Sequence, residues 1–323
     1  MDCSVCVFCG LPGAGKTTLA NHLKHLQGST HKFIHVCYDS LLLKVDHAKS
    51  LDSVSAWKAA RSSIANNVSS ILEFLGNESK VLCPIFDKGV SQSALEFLFQ
   101  DIKTFDPTMK IVLLIDDNMQ YRGMRNEYYR MCAKLEVGFS IVYFDIPLQV
   151  CLRNNKEREN PIQEAILEKI SNQMEIPGSN SKCKWEKFVV KLGSRNLEAS
   201  SGQVLRIIDE SMEHPPSFPG PAIQEEIEKV RQINRKNFLH QADICIRRLV
   251  SMKIQDFKNS TSSDITLSQF SKNLINVKKQ TMFLLKIGYV DDEIFLKTDG
   301  NLDFDKIENS IHDLMNLIFQ EIQ

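Results

Sequence analysis

The sequence predicts an α/β fold, a parallel sheet flanked by helices, followed by an all-helical C-terminal domain. Three observations predict it. Within CGLPGAGKTTLANHL, Cys9 to Leu23, the run from Gly10 to Thr17 fits the pattern Gly, four residues, Gly, Lys and Ser or Thr of a phosphate-binding loop. Short apolar runs that end in acidic residues alternate with helical patterns over the first two hundred residues, the signature of parallel β-α units. Finally, HPPSFPGP at 214–221 places four prolines in eight residues, a break between a domain at 1–213 and a helical one at 222–323.

The elements follow in order. SVCVFC before the loop reads as a buried strand and TTLANHLKHL after it as an amphipathic helix. KFIHVCYDS at 32–40 is a second strand closing on Asp39, and a long helix from about Val54 to Leu75 carries Trp57, Ile64, Val68, Ile71 and Leu75 on its core face. SALEFLFQDIKTF is a further helix, and KIVLLIDDN at 110–118 is the strongest strand signal in the chain. Helix MRNEYYRMCAKL then leads to strand FSIVYFDIP at 139–147. A short helix, a charged loop and a helix near Pro161 occupy PLQVCLRNNKERENPIQEAILEKI. KWEKFVVKL is the last strand, and SSGQVLRIIDESME a helix started by Ser200 or Ser201.

The composition narrows the function classes. A formal net charge of −1 over 323 residues excludes a uniformly basic coat, so any nucleic-acid contact is local. Residues 229–286 hold twelve Lys and Arg against three Asp and Glu, whereas 291–323 hold two against nine. The near-neutral total therefore conceals a basic module. Its helical face with Arg235, Lys236, Arg247, Arg248, Lys278 and Lys279 suits a phosphate backbone. The longest aliphatic stretch, IVLLI at 111–115, is strand-length, and no charged start precedes an apolar leader, so a cytoplasmic protein with no membrane or DNA contact is expected. Cys3, Cys6 and Cys9, spaced C-x-x-C-x-x-C in the first strand, are expected as buried reduced thiols rather than metal ligands.

The candidate chemistry sits on the loop and at strand ends. Gly10, Gly13, Ala14, Gly15, Lys16, Thr17 and Thr18 form the expected ATP-binding set, with backbone N–H groups aimed at phosphate and Lys16 spanning the β- and γ-oxygens. The Thr17 hydroxyl and a carboxylate from Asp116 or Asp117, with Asp116 preferred, are the expected Mg²⁺ ligands. Asp39 is placed to orient or deprotonate an attacking hydroxyl. Asp145 reads as a turn residue. Arg153 and Arg158, after the fourth strand, are placed like a kinase lid that brings charge to the transferring phosphoryl group.

The block LIDDNMQYRGMRNEYYRMCAKLEVGFSIVYFDIPLQVCLRNN closely resembles the L-seryl-tRNA(Sec) kinase family. The resemblance rests on Asp116-Asp117-Asn118, Tyr121, Met124-Arg125, Glu127, Tyr129, Pro147-Leu148 and Cys151-Leu152, and takes in the loop at 10–18, Tyr38-Asp39 and RRLVS at 247–251. It implies a phosphate-loop kinase that uses ATP and Mg²⁺ to phosphorylate the seryl hydroxyl of serine-charged selenocysteine tRNA. It also implies that Arg125, Arg247 and Arg248 face the tRNA. The family's lid reads Arg, three residues, Arg; here Arg153 and Arg158 stand one residue wider apart. The Asp-Asp and Met-Arg-Glu-Tyr arrangement also occurs in the related elongator-associated ATPase family, so a tRNA-stimulated accessory ATPase is one alternative and a small-molecule kinase another.

Overall fold

The computed structural model describes the chain apart from residues 1, 27–29, 44–50, 77–81, 88, 104–107, 180–182, 194–195, 219–220, 260–265, 287–303 and 323. The side chains of 51–58, 221–234, 304–306, 317 and 319–322 also lie outside the description. Trp57, most of the Ser/Thr-rich break after Asn259 and much of the acidic stretch after 290 therefore fall outside it. The chain divides into two units, residues 1–45 with 59–218 and residues 46–58 with 219–323. The division at 218/219 falls inside the proline-rich stretch.

The first unit is built on five parallel strands. In chain order these are β1 (Cys3–Gly10), helix α1 (Lys16–Lys24), β2 (His31–Cys37), the single turn α2 (Tyr38–Leu41), α3 (Leu51–Gly76) and α4 (Gln92–Lys103). They continue with β3 (Lys110–Asp116), α5 (Arg122–Leu135), β4 (Gly138–Phe144), α6 (Leu148–Lys156), α7 (Glu164–Gln173), β5 (Val189–Leu192) and α8 (Leu197–Glu213). The sheet order is β2-β3-β1-β4-β5, with every pair parallel. Side chains alternate along each strand, so β1 feeds two cores at once. Val5, Val7 and Cys9 pack with α3, α4 and α5, while Cys6 and Phe8 pack with α1 and α8. The same alternation puts Cys6 on the opposite face from Cys3 and Cys9, so the three thiols cannot share an ion. All three are free, and burial pushes them up, Cys3 and Cys6 to about 12 and Cys9 to about 11.

Two local expectations change. β2 ends at Cys37, and Asp39 lies two residues further on, in α2. Helix α8 starts at Leu197 with Asn196 as its cap, whose side-chain oxygen accepts from the Ala199 N–H at 3.1 Å. Ser200 and Ser201 lie buried within the helix, and the Ser201 hydroxyl donates back to the Leu197 carbonyl at 2.6 Å. Asparagine provides the same capping oxygen as serine, four residues earlier than expected. Asp145 pairs with Lys191 of the neighbouring strand at 2.8 Å, in keeping with a turn role.

Besides the first residues of α3, the described part of the second unit holds α9 (Pro221–Asn259), α10 (Leu267–Lys286) and α11 (Phe304–Ile322). Phe238, Ala242, Ile246 and Leu249 of α9 meet Val277, Leu284 and Leu285 of α10 and Ile307, Ile311, Leu314, Met315 and Ile318 of α11. The three- and four-residue spacing of these apolar positions gives each helix one sticky stripe, and the three stripes close on one another. Among the described residues no helix is long and apolar enough to cross a membrane.

Candidate nucleotide and phosphoryl-transfer site

The loop between β1 and α1 turns beneath the carboxyl ends of the strands, where open parallel sheets bind their ligands. Gly10 has φ +154° and Gly13 φ +80°, and a Cβ on Gly13 would sit 2.6 Å from the Cys151 carbonyl of α6. Only glycine tolerates both demands. The Asn154 side-chain amide adds a hydrogen bond to the Gly13 carbonyl at 2.9 Å, so α6 lies directly on the loop.

Lys16 is buried at the start of α1, with Nζ donating to the Gly10 and Leu11 carbonyls at 2.9 Å and to Asn118 Oδ1 at 3.1 Å. Burial lowers its pKa, against the pull of Asp116 and Asp117. The Thr17 hydroxyl donates to Asp116 Oδ2 at 2.7 Å. Hard oxygen donors standing side by side at the mouth of a phosphate loop fit Mg²⁺. Of the two adjacent carboxylates, Asp116 is the one beside Thr17. Asp117 turns away to the guanidinium of Arg61, on α3, at 2.5 Å. Burial alone would raise the Asp117 carboxyl, but the Arg61 charge and hydrogen bond hold it below the ordinary value. Arg61 also stacks 4.4 Å from the centroid of the Tyr38 ring, whose hydroxyl is 2.5 Å from that of Tyr128.

Asp39 and Arg158 meet. Arg158 Nη2 donates to Asp39 Oδ2 at 2.9 Å, bringing together the expected aiming carboxylate and one lid arginine. Arg153 is exposed on α6. Thr18, Ala14 and Gly15 line a cavity of about 240 Å³ with Leu19, Phe144, Leu192, Leu197 and Ser200. It opens beside the loop between β5 and α8.

Arg125 does not face a tRNA. It is fully buried in α5, with Nε and Nη2 on Glu186 Oε1 at 2.9 and 2.7 Å and Nη1 on the Met119 carbonyl at 2.8 Å. Met119 has φ +46°, a backbone state that costs a side-chain-bearing residue energy. Asn118, just before it, accepts from the Gly10 N–H at 3.0 Å. Arg125 thus props the segment that carries Asp116 and Asn118. Arg247 and Arg248 lie on the surface of α9 and are paired within the chain, Arg247 with Asp243 at 2.6 Å and Arg248 with Glu308 at 2.8 Å.

Sequence reasoning passed over His35, Cys37, Arg61 and Glu186. His35 Nε2 is 2.9 Å from Asp116 Oδ2. Partial burial would lower the imidazole pKa, but the hydrogen bonds to Asp116 and Cys37 outweigh it and push it up to about 9. The available signal was parity: His35 and Cys37 share a strand face in a run whose other face is Ile34 and Val36.

The family model described as "Chromatin associated protein KTI12" matches residues 106–316. The chain is 26% identical to the L-seryl-tRNA(Sec) kinase of Mus musculus over 307 residues, 88% of this chain and 85% of that one. It is 26% identical to the L-seryl-tRNA(Sec) kinase of Homo sapiens over 289 residues, 82% of each. Among solved structures, Chaetomium thermophilum Kti12 in complex with ADP-AlF3 is 15% identical with a TM-score of 0.37, covering 64% of this chain and 98% of that one. A gluconokinase from Sinorhizobium meliloti is 12% identical with a TM-score of 0.34, covering 65% and 94% respectively.

Two outcomes are expected. Arg125→Met leaves Glu186 without its cation in the core, so chemical denaturation should show a loss of about 3–5 kcal/mol, most of it recovered in Arg125→Met/Glu186→Leu. No recovery in the double variant would contradict the propping role. Secondly, NMR of the His35 ring should show titration near pH 9, falling toward the ordinary 6.5 in Asp116→Asn. Because the folded pKa is raised, the stability this contact adds is complete below about pH 6.5 and is lost as pH climbs through about 9. A wild-type ring titrating near 6.5 would contradict the pairing.

Proposed function

The chain belongs to the family of the chromatin associated protein KTI12, and we propose that it is an ATP-dependent kinase that phosphorylates the seryl hydroxyl of Ser-tRNA(Sec). The observation that carries this reading is the extent of the two kinase relatives, which cover 88% and 82% of this chain. The Asp39–Arg158 contact supports it, since it pairs an acceptor-side carboxylate with a lid cation at the mouth of the loop.

In this reading the loop N–H groups and the N-terminus of α1 hold the ATP phosphates. Lys16 exchanges its carbonyl partners for phosphate oxygens. Thr17 and Asp116 would hold Mg²⁺, which when bound neutralises charge between the β- and γ-phosphates. Arg158 and Arg153 bring positive charge to the transferring group, and Asp39 aims the serine hydroxyl. A loose transition state asks little of a base, so aim matters more than proton removal. The exposed basic residues of α9 and α10 dock the tRNA backbone. The Asp-Asp and Met-Arg-Glu-Tyr arrangement leaves a second reading, ATP hydrolysis without transfer to an aminoacyl group.

The test is a γ-labelled ATP assay on serylated selenocysteine tRNA, serylated serine tRNA, uncharged tRNA and free serine. Label on the first alone is expected; phosphate release without label on the aminoacyl group would shift the assignment to the ATPase reading. Lys16→Ala should slow transfer by roughly a hundredfold or more, and Asp39→Asn should remove most turnover with ATP affinity little changed. Normal turnover in Asp39→Asn would sink its assignment.

The docking role has its own measurement, filter binding of selenocysteine tRNA across a salt series. Each duplex phosphate contact contributes a slope of about −0.9 in log affinity against log salt. Arg247→Ala/Arg248→Ala should weaken binding and flatten the slope by roughly one to two units. An unchanged slope would leave both residues as intrachain ion pairs alone.

A further inference from the structure

The carboxyl ends of β2 and β3 carry, beside Asp116, two side chains that phosphoryl transfer does not use, His35 and Cys37. The parallel register sets Cys37 directly beside Asp116. His35 stands two residues earlier on the same strand, hence on the same face of the sheet. That face is the one packed by α1, since Phe33, Val112 and Leu114, of matching parity, join Leu19, Ala20 and Leu23 in one core. Backbone pairing alone therefore gathers the three side chains. A His35 ring nitrogen, Cys37 Sγ and an Asp116 carboxylate oxygen all lie within 4.8 Å of one another. Among the described residues no other three His, Cys, Asp or Glu side chains meet so closely.

We propose that His35, Cys37 and Asp116 bind a borderline-soft divalent cation of the zinc class, in competition with nucleotide-associated Mg²⁺ for Asp116. An imidazole nitrogen, a thiolate and one carboxylate oxygen form a set that zinc accepts and that magnesium, which demands oxygen ligands in an octahedron, does not. Three protein ligands leave a fourth tetrahedral position, open to water or to the Thr17 hydroxyl. With zinc bonds of about 2.0–2.3 Å the ligand atoms draw in to within about 4 Å of one another, a contraction available from side-chain torsions. The ion replaces the proton between His35 and Asp116 and the thiol proton of Cys37, and both protons pass to solvent. It takes Asp116 away from Thr17, so the nucleotide site loses one of its oxygen donors. This inference rests on the nucleotide-site reading only through that shared carboxylate.

Cobalt(II) is the probe, titrated into the full chain without nucleotide in a reductant that is not a thiol. One equivalent should give a thiolate-to-cobalt charge-transfer band, displaced by zinc, absent in Cys37→Ser and retained in Cys83→Ser, which removes an exposed thiol elsewhere. At fixed Mg²⁺, zinc should inhibit ATP turnover, and Cys37→Ser should raise the inhibitory concentration by about tenfold or more, since even residues behind a ligand alter metal affinity that much. A missing band, a band that survives Cys37→Ser, or equal zinc sensitivity in both proteins would overturn the site. If Cys37→Ser fails to fold, X-ray absorption on the zinc-loaded wild type decides, and a shell without sulfur overturns it. Label transfer in Mg²⁺ alone reports on the kinase reading independently, so the two can fail separately.

Discussion

One backbone hydrogen bond, from the Gly10 N–H to the Asn118 carbonyl, joins the start of the phosphate loop to the segment beyond β3, and the site geometry depends on it. It can form because β1 and β3 are neighbours in a register that sets Phe8 beside Asp116, so both chains leave the sheet at one level. From that crest Asp116 reaches Thr17, Asp117 reaches Arg61 and the Asn118 side chain reaches Lys16. The left-handed Met119 is the strained point of the crest, and Arg125 holds its carbonyl from below. A buried guanidinium with fixed partners is rigid, and rigidity is what electrostatic preorganisation requires.

How much of this was legible depends on how local each signal is. The loop is a contiguous motif, and strands buried on both faces appear as unbroken apolar runs, as in IVLLI at 111–115. The partner of Arg125 lies 61 residues away in a loop, and that of Arg61 lies 56 residues away, so no window on the sequence contains either pair. Arg125 therefore read as a surface cation when it is a core strut. α11 shows the opposite difficulty. Ile307, Ile311, Leu314 and Ile318 keep helical spacing, but the acidic charge of that stretch was the feature the sequence reading singled out there.

Pairing means different things for the arginines at the two depths. Arg125 and Glu186 are wholly out of water, so separating them exposes a bare charge to an apolar surrounding, and the pair cannot open to meet a ligand. Arg247 and Arg248 are mostly exposed and their carboxylate partners are surface groups. Contacts of that kind are worth about 0–1 kcal/mol and weaken with salt, so a phosphate can replace the carboxylate at little cost. The second unit can thus satisfy its own charges when alone and still present cations to a polyanion.

The same contrast runs through the groups around the phosphate loop. Lys16 and Asp116 are buried and held by short hydrogen bonds. Asp39, by contrast, has a side chain 74% exposed, and its contact with Arg158 is solvated. A bond of that kind closes and opens cheaply. In the kinase we propose, the closed contact neutralises a carboxylate that would otherwise repel the γ-phosphate. When an acceptor hydroxyl arrives, the carboxylate can turn to it and the guanidinium to the phosphoryl oxygens without either losing a charged partner. The fold thereby keeps the buried half of the site fixed and leaves the exposed half exchangeable, which in the proposed kinase suits a substrate too large to be enclosed.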